Sequence, residues 1–437
     1  MCFRLRLPSV LALLFTLLPA VTFGQFDLEK PPFNYSKTKD DNPVTRLKAR
    51  IKSGDAQLEY DRSMGYLSSI LKELDVYEST QALVFSKTSL QVKHISPRNP
   101  RAIYFNDDVY VGWVRGSDMM ELSTSDPNLG AVFYTVTMSP GDAYIKRAGY
   151  DCLGCHATSM TQGIPGHTVR SVFPSRSGSV DPKQRSFVTD HTSAMSERWG
   201  GWYVTGLHGD MQHMGNAFLS DGLLDRTDNA NRQHLRDEFQ TFGWLSPYSD
   251  IVALMVLEHQ TQMHNTFTRA NFAVRYAKYD FQVAGETEAL MVDNEEFRAI
   301  VAKAASDVVN YLLFADEAQL TSEVKGSVVF TEQFRQRGPS DRQGRSLRDF
   351  DLQSRLFRYP CSYLIYSSAF DSLDESLRRQ VYLQLREVLT SANAVERFSH
   401  LNEATRQAIT QILVETKPEL VNVWNDGNTD NSLKASN

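Results

Sequence analysis

The sequence predicts an α+β protein, with a small β-rich part near the N-terminus, a loop-rich centre and a mostly α-helical C-terminal part. Three observations carry this. Residues 82–138 hold short β-branched and aromatic runs, among them Ala82–Phe85, Ala102–Phe105, Val109–Val114 and Ala131–Val136, punctuated by Asn99-Pro100, Arg115-Gly116 and Asp126-Pro127. Residues 150–225 are rich in Gly, His, Met and polar side chains without sustained periodicity, and loop that long inside a compact protein is usually functional. From Pro247 onward apolar residues recur at helical spacing.

Taken in order, residues 1–24 place Arg4 and Arg6 ahead of an apolar run from Val10 to Val21, with the small residues Thr22 and Gly24 beyond it. That is the order and size of a signal peptide. The run is shorter than the roughly 20 residues a spanning helix needs. The expectation is an exported, periplasmic chain with no transmembrane span after cleavage. Gln25 to Asn42 reads as an extended lead-in, and helical spacing follows in Val44–Ile51 and Met64–Leu74. Beyond the sheet and the loops, Ile251–Tyr279, Glu295–Phe314, Leu347–Arg358, Ser376–Thr390 and Asn402–Thr416 have helical patterns. Asn402 with Thr405 starts the last helix and Lys417-Pro418 closes it. The expected organisation is a signal peptide at 1–24, an N-terminal α/β segment at 25–149, a central region at 150–245, a helical domain at 246–424 and a flexible tail at 425–437.

Composition excludes several classes. The 437 residues are 41% hydrophobic and 22% charged, ordinary globular usage that disfavours wholesale disorder and a multispanning membrane protein. Net charge is −6, and losing Arg4 and Arg6 with the signal peptide makes it −8, so no basic footprint points to nucleic acid. Four cysteines are too few for a disulfide-built scaffold. Cys2 leaves with the signal, which leaves Cys152, Cys155 and Cys361. Cys361 sits among apolar and aromatic residues and reads as a buried, inert thiol.

Asp151-Cys152-Leu153-Gly154-Cys155-His156 contains C-x-x-C-H. Two thiols three residues apart on one turn reach the two vinyl groups of a haem, and the adjacent imidazole is carried under the iron. A thioredoxin-like dithiol needs a βαβ context that is absent around residue 152, and a zinc site needs a second ligand pair that no other C-x-x-C supplies. On Cys152, Cys155 and His156 in an exported chain, the sequence resembles c-type cytochromes. The resemblance implies one covalent haem c, with His156 as iron ligand. Gly163-Ile164-Pro165-Gly166 looks like the Gly/Pro loop that in class I cytochromes accepts a hydrogen bond from that histidine, which fixes its tautomer. The stretch from Thr189-Asp190-His191 through Arg198-Trp199-Gly200-Gly201-Trp202-Tyr203 to His213-Met214-Gly215-Asn216 is similar to a group of exported bacterial monohaem proteins, a likeness that implies no particular reaction.

Five of the ten histidines, at 156, 167, 191, 208 and 213, fall between residues 150 and 215. The sixth-ligand segment is expected at Gly206–Asn216, with His208 or His213 ahead of Met211 and Met214. Arg170, Arg176, Arg185 and Arg198 are candidates to pair with haem propionates. Trp199, Trp202 and Tyr203 are candidates to pack on the porphyrin edge. His259 and Met263 share a helix face, but no partner Glu-x-x-His supports a di-iron bundle, so they read as satisfied helical residues. The expected function is electron transfer with a redox partner protein. The alternative is a periplasmic haem oxidoreductase, peroxidase-like or acting on a small nitrogen or oxygen compound, with an open distal site and His191, His208 or His213 as acid/base.

Overall fold

The β-branched runs pair into one seven-stranded antiparallel sheet in the order β6-β5-β4-β3-β2-β1-β9. Its strands are β1 (Ala82–Val84), β2 (Arg101–Phe105), β3 (Val109–Trp113), β4 (Met119–Asp126), β5 (Gly130–Thr137) and β6 (Ile145–Arg147). The seventh, β9 (Trp202–Tyr203), arrives from the central region and pairs with β1. The chain is described here by a computed structural model covering residues 26–141, 143–227, 229–391 and 396–425. The expected signal peptide lies outside these residues, as does the tail beyond Asn425.

The chain is α+β, and the two faces of the sheet bury different layers. On one face Leu83, Ala102, Tyr104, Val109 and Val111 pack with Val44 and Leu47 of α1 (Pro43–Ser53) and Leu67 and Ile70 of α2 (Leu67–Glu73). On the other, Ala82, Val84, Phe105 and Tyr110 join the helical core. Because strand side chains alternate with period two, covering both faces makes these strands apolar almost throughout. α1 starts at a capping box, in which the Asn42 side chain accepts from Val44 and Thr45 while Thr45 Oγ1 accepts from the Asn42 amide. Asn42 Nδ2 also donates to the Tyr134 hydroxyl at 2.8 Å, which ties the helix start to β5.

The helical part is built around α4 (Ile251–Val283), a 33-residue helix capped by Asp250 through Ala253 N. Against it pack α5 (Glu288–Asp293), α6 (Glu295–Leu312), α7 (Val328–Gln336), α8 (Ser368–Asp371) and α9 (Glu375–Thr390). α10 (Glu403–Thr416) packs on α9, and Asn402 caps it by accepting from Thr405 N at 2.8 Å. Between sheet and helices runs α3 (Tyr150–His156), followed by irregular chain with two short ribbons, β7–β8 (Arg170–Ser171 with Phe187–Val188) and β10–β11 (Phe218–Ser220 with Leu223–Asp225). No helix among the described residues is long and apolar enough to cross a membrane.

One expectation about an element is corrected. Leu347–Arg358 is irregular although its apolar spacing is helical. Asp351 accepts from the amides of Gln353 and Ser354, a side-chain turn that competes with a helix, and Leu352 takes a positive φ of 58°. The helix lies instead at α7, whose Phe330 and Phe334 pack into the same core. β9 comes from the central region and extends the N-terminal sheet.

Candidate functional site

Alternation along four neighbouring strands puts Arg101 and Ile103, Tyr110 and Gly112, Glu121 and Ser123, and Phe133 and Thr135 on one wall of a cavity of about 540 Å³. α3 closes a second side with Cys152, Cys155 and His156, and α4 a third with Leu257 and Thr261. The volume falls within the roughly 300–1,000 Å³ of small-molecule and cofactor sites. Arg101 pairs with Glu121 at 2.6 Å across this wall. Gly112 makes room for the pair, because a Cβ there would collide with the Arg101 guanidinium.

The three motif residues face this one cavity from a single helix. Both cysteines are free thiols, and burial pushes the Cys152 thiol up to about 11, so it stays protonated at neutral pH. Cys155 is exposed. His156 Nδ1 lies 2.9 Å from the carbonyl oxygen of Gly166. A carbonyl can only accept, so Nδ1 carries the proton and Nε2 keeps its lone pair, with no hydrogen-bond partner among the described residues. Burial lowers the pKa of His156, which favours this neutral form.

The Gly166 carbonyl is itself held from two directions. Ala131 N of β5 donates to Pro165 O at 2.9 Å. From α4, Asn265 Oδ1 accepts from His167 N at 2.8 Å and Asn265 Nδ2 donates to His167 O at 2.7 Å. Gly166 packs so closely on this clamp that a Cβ would lie 2.5 Å from Asn265 Oδ1. Asn265 therefore fixes the tautomer of a histidine 109 positions earlier in the chain, a link that no local pattern reveals.

His167 also lines the cavity. It is buried with Nε2 unpartnered, its ring lies 4.5 Å from that of Tyr110, and burial holds its pKa well below the usual imidazole value. Behind it the Tyr110 hydroxyl meets His264 Nδ1 at 2.9 Å. Of the arginines singled out, Arg170 lines the cavity with Nε buried and unpartnered. Arg198 instead forms a 2.6 Å ion pair with Glu258, at side-chain exposures of 3% and 0%, and so is committed inside the helical core. Arg176 sits 3.9 Å from Asp225 and Arg185 lies over the Phe187 ring. Trp202 lines the cavity, Tyr203 donates to Pro97 O, and Trp199 is fully buried at a φ of +65°. His191 and His259 face each other through their Nδ1 atoms at 2.8 Å, and Met263 is buried core.

The Gly206–Asn216 segment packs elsewhere, with His208, Met211, His213 and Met214 buried and Gly209, Asp210 and Gln212 exposed. His208, His213, Met211 and Met214 are not among the cavity's lining residues. His208 Nε2 accepts from Asn231 N at 2.9 Å, which occupies the lone pair a metal would need. His213 packs 4.7 Å from the His208 ring with both ring nitrogens unpartnered, and Met214 Sδ accepts from Ser171 Oγ at 3.4 Å. Sequence reasoning missed Arg101, Glu121, Tyr110 and Asn265. The period-two alternation could have found the first three, but β4, Met-Met-Glu-Leu-Ser-Thr-Ser-Asp, is too polar to read as a strand.

Two thiols, a neutral imidazole with a free Nε2, apolar and aromatic walls and nearby cations are chemically suited to hold a covalently attached haem. Among the described residues no three His, Cys, Asp or Glu side chains group as ligands for a bare metal ion. No protein family, curated protein or solved structure matches the chain, so its function rests on the chemistry of this cavity.

Proposed function

We propose that this chain is an exported c-type haem protein that transfers electrons, with the haem held by Cys152 and Cys155 and its iron by His156. The observation that carries the reading is that both thiols and the free Nε2 of His156 face one cavity of about 540 Å³. When bound, the haem supplies a one-electron iron couple. The residues around it do the rest. Gly166 holds the proton on Nδ1 of His156 and aims the ring. Ile103, Phe133, Val169, Trp202 and Leu257 line the cavity and would exclude water from a bound haem. Arg170, with an unpartnered Nε, and Lys87 supply positive charge for the propionates, whereas Arg101 is already paired with Glu121.

The test is expression with the cytochrome c maturation machinery, followed by haem staining on a denaturing gel. Wild type is expected to carry one covalent haem, and Cys152→Ala with Cys155→Ala none. A stained double variant, or an unstained wild type, would sink the proposal.

A further inference from the structure

The mouth of the cavity carries a charge opposite in sign to that of the chain. Resting on the haem reading, we propose that this mouth is the docking surface for an acidic redox protein. The step is a one-electron exchange in which no bond is made or broken: the partner is oxidised and the oxidised haem protein reduced.

Two loops build the mouth. Lys87, Thr88, Ser89 and Leu90 line the cavity from one, and Val180 and Pro182 from the other. Lys87 N donates to Gly178 O at 2.9 Å, which ties the loops together. Arg170, on the cavity wall, donates through Nη2 to Ser186 Oγ at 3.2 Å, so the chain from Pro182 to Ser186 is anchored at the mouth at both ends.

The charges on these loops are one-sided. Residues 87–98 hold Lys87, Lys93 and Arg98 and no acid, and residues 180–186 hold Lys183 and Arg185 against Asp181 alone. Among the described residues none of these five cations has an ion-pair partner. Arg176 is offset by Asp225 at 3.9 Å. Of the two carboxylates lining the cavity, Glu121 is paired with Arg101, which leaves Asp151. The whole chain has 46 Lys and Arg against 52 Asp and Glu, so the positive excess is local. Propionates on Lys87 and Arg170 would neutralise those two and leave Lys93, Arg98, Lys183 and Arg185, all of them exposed.

Leu90 and Val92, 50% and 41% exposed, lie between Lys87 and Lys93 on the first loop and supply an apolar centre to a polar rim. Two short loops match the small contact area of transient redox encounters. A charged cleft raises the association rate of a partner of opposite sign more than its affinity. A compact acidic protein can cover the mouth alone, whereas a nucleic acid or an anionic bilayer must also face the excess of carboxylates that the rest of the chain carries.

The probe is a reduced plant-type two-iron ferredoxin, small and acidic, mixed by stopped flow with the oxidised holoprotein. Its second-order rate constant is expected to fall on the order of tenfold between about 20 and 300 mM salt, as attraction at the mouth is screened. Lys93→Glu with Lys183→Glu and Arg185→Glu is expected to lower the low-salt rate about tenfold and to remove that salt dependence, with reduction by neutral hydroquinone as in wild type. The net charge of −6 predicts the opposite sign, a rate that rises with salt, and that result in wild type would overturn the inference. So would a triple variant as fast as wild type, or one that loses the same factor with hydroquinone. Binding of wild type to phosphatidylglycerol vesicles that the triple variant loses, with its ferredoxin rate unchanged, would name a membrane instead. A haem-loaded wild type with the wrong salt dependence defeats the docking alone. Absence of covalent haem from wild type on the denaturing gel removes the haem reading itself, and this inference with it.

Discussion

Asn265→Ala is the sharpest probe of how α4 reaches into the cavity. The wild-type side chain makes two hydrogen bonds to the backbone of His167, at 2.8 and 2.7 Å, in a place where Asn265 is 2% and His167 5% exposed. Removing it leaves one amide and one carbonyl buried without partners, at about 1–3 kcal/mol each, so the expected loss is roughly 2–6 kcal/mol. Asn265→Asp keeps the acceptor for His167 N but sets a carboxylate oxygen against His167 O, and is expected to be no better than alanine at neutral pH. The assay is urea unfolding at pH 7, read as a drop in midpoint at constant slope. The same change should loosen the Gly166 carbonyl and weaken its bond to His156 Nδ1, and under the proposed haem reading a poorer imidazole donor should raise the midpoint potential. A stability loss below about 0.5 kcal/mol would show that the clamp holds nothing in place, because surface-like substitutions stay within that range.

Gly166→Ala should cost about 1–3 kcal/mol, since its Cβ would lie 2.5 Å from Asn265 Oδ1, and the double variant with Asn265→Ala should lose clearly less than the sum; strict additivity in urea melts contradicts the contact. Arg198→Met should destabilise more at pH 8 than at pH 5. Burial pushes Glu258 up to about 7 even with Arg198 beside it, so without the arginine the folded state holds that proton to still higher pH and stability falls as pH rises. Equal losses at both pH values would refute this. His213 is held down to about 3 by burial, below its usual value of 6.5, so the folded state resists protonation and its stability contribution is lost as pH falls below about 6.5. Between pH 7 and 5, His213→Leu should therefore lose about 2 kcal/mol less than wild type, and parallel pH profiles for the two proteins would disprove it.

Much of the fold was legible because its signals are local. Strand runs such as Val109–Val114, the helical spacing of Glu295–Phe314 and the Asn402 cap each depend on residues within a turn or a strand of one another, and each appears in the structure. Leu347–Arg358 was misread because its apolar spacing serves a packed loop, where Arg348 lies between the rings of Phe334 and Tyr363 and binds Asp107. Periodicity reports which side chains are buried, and it is silent on whether the backbone between them is helical.

The site divides along the same line. By itself, the sequence determined the contiguous chemistry, two thiols and an imidazole on one short helix with a Gly/Pro loop ten residues on, because covalent spacing alone brings those groups together. Only the tertiary structure decided what surrounds them. It set the Arg101–Glu121 pair on a sheet face, clamped the Gly166 loop from α4 and buried His208 and His213 away from the cavity. The histidine-rich stretch had pointed to Gly206–Asn216 because density along the chain stands in for proximity in space. Chain proximity guarantees contact only within a turn or a hairpin, and beyond that the packing of the sheet against α4 decides which groups meet.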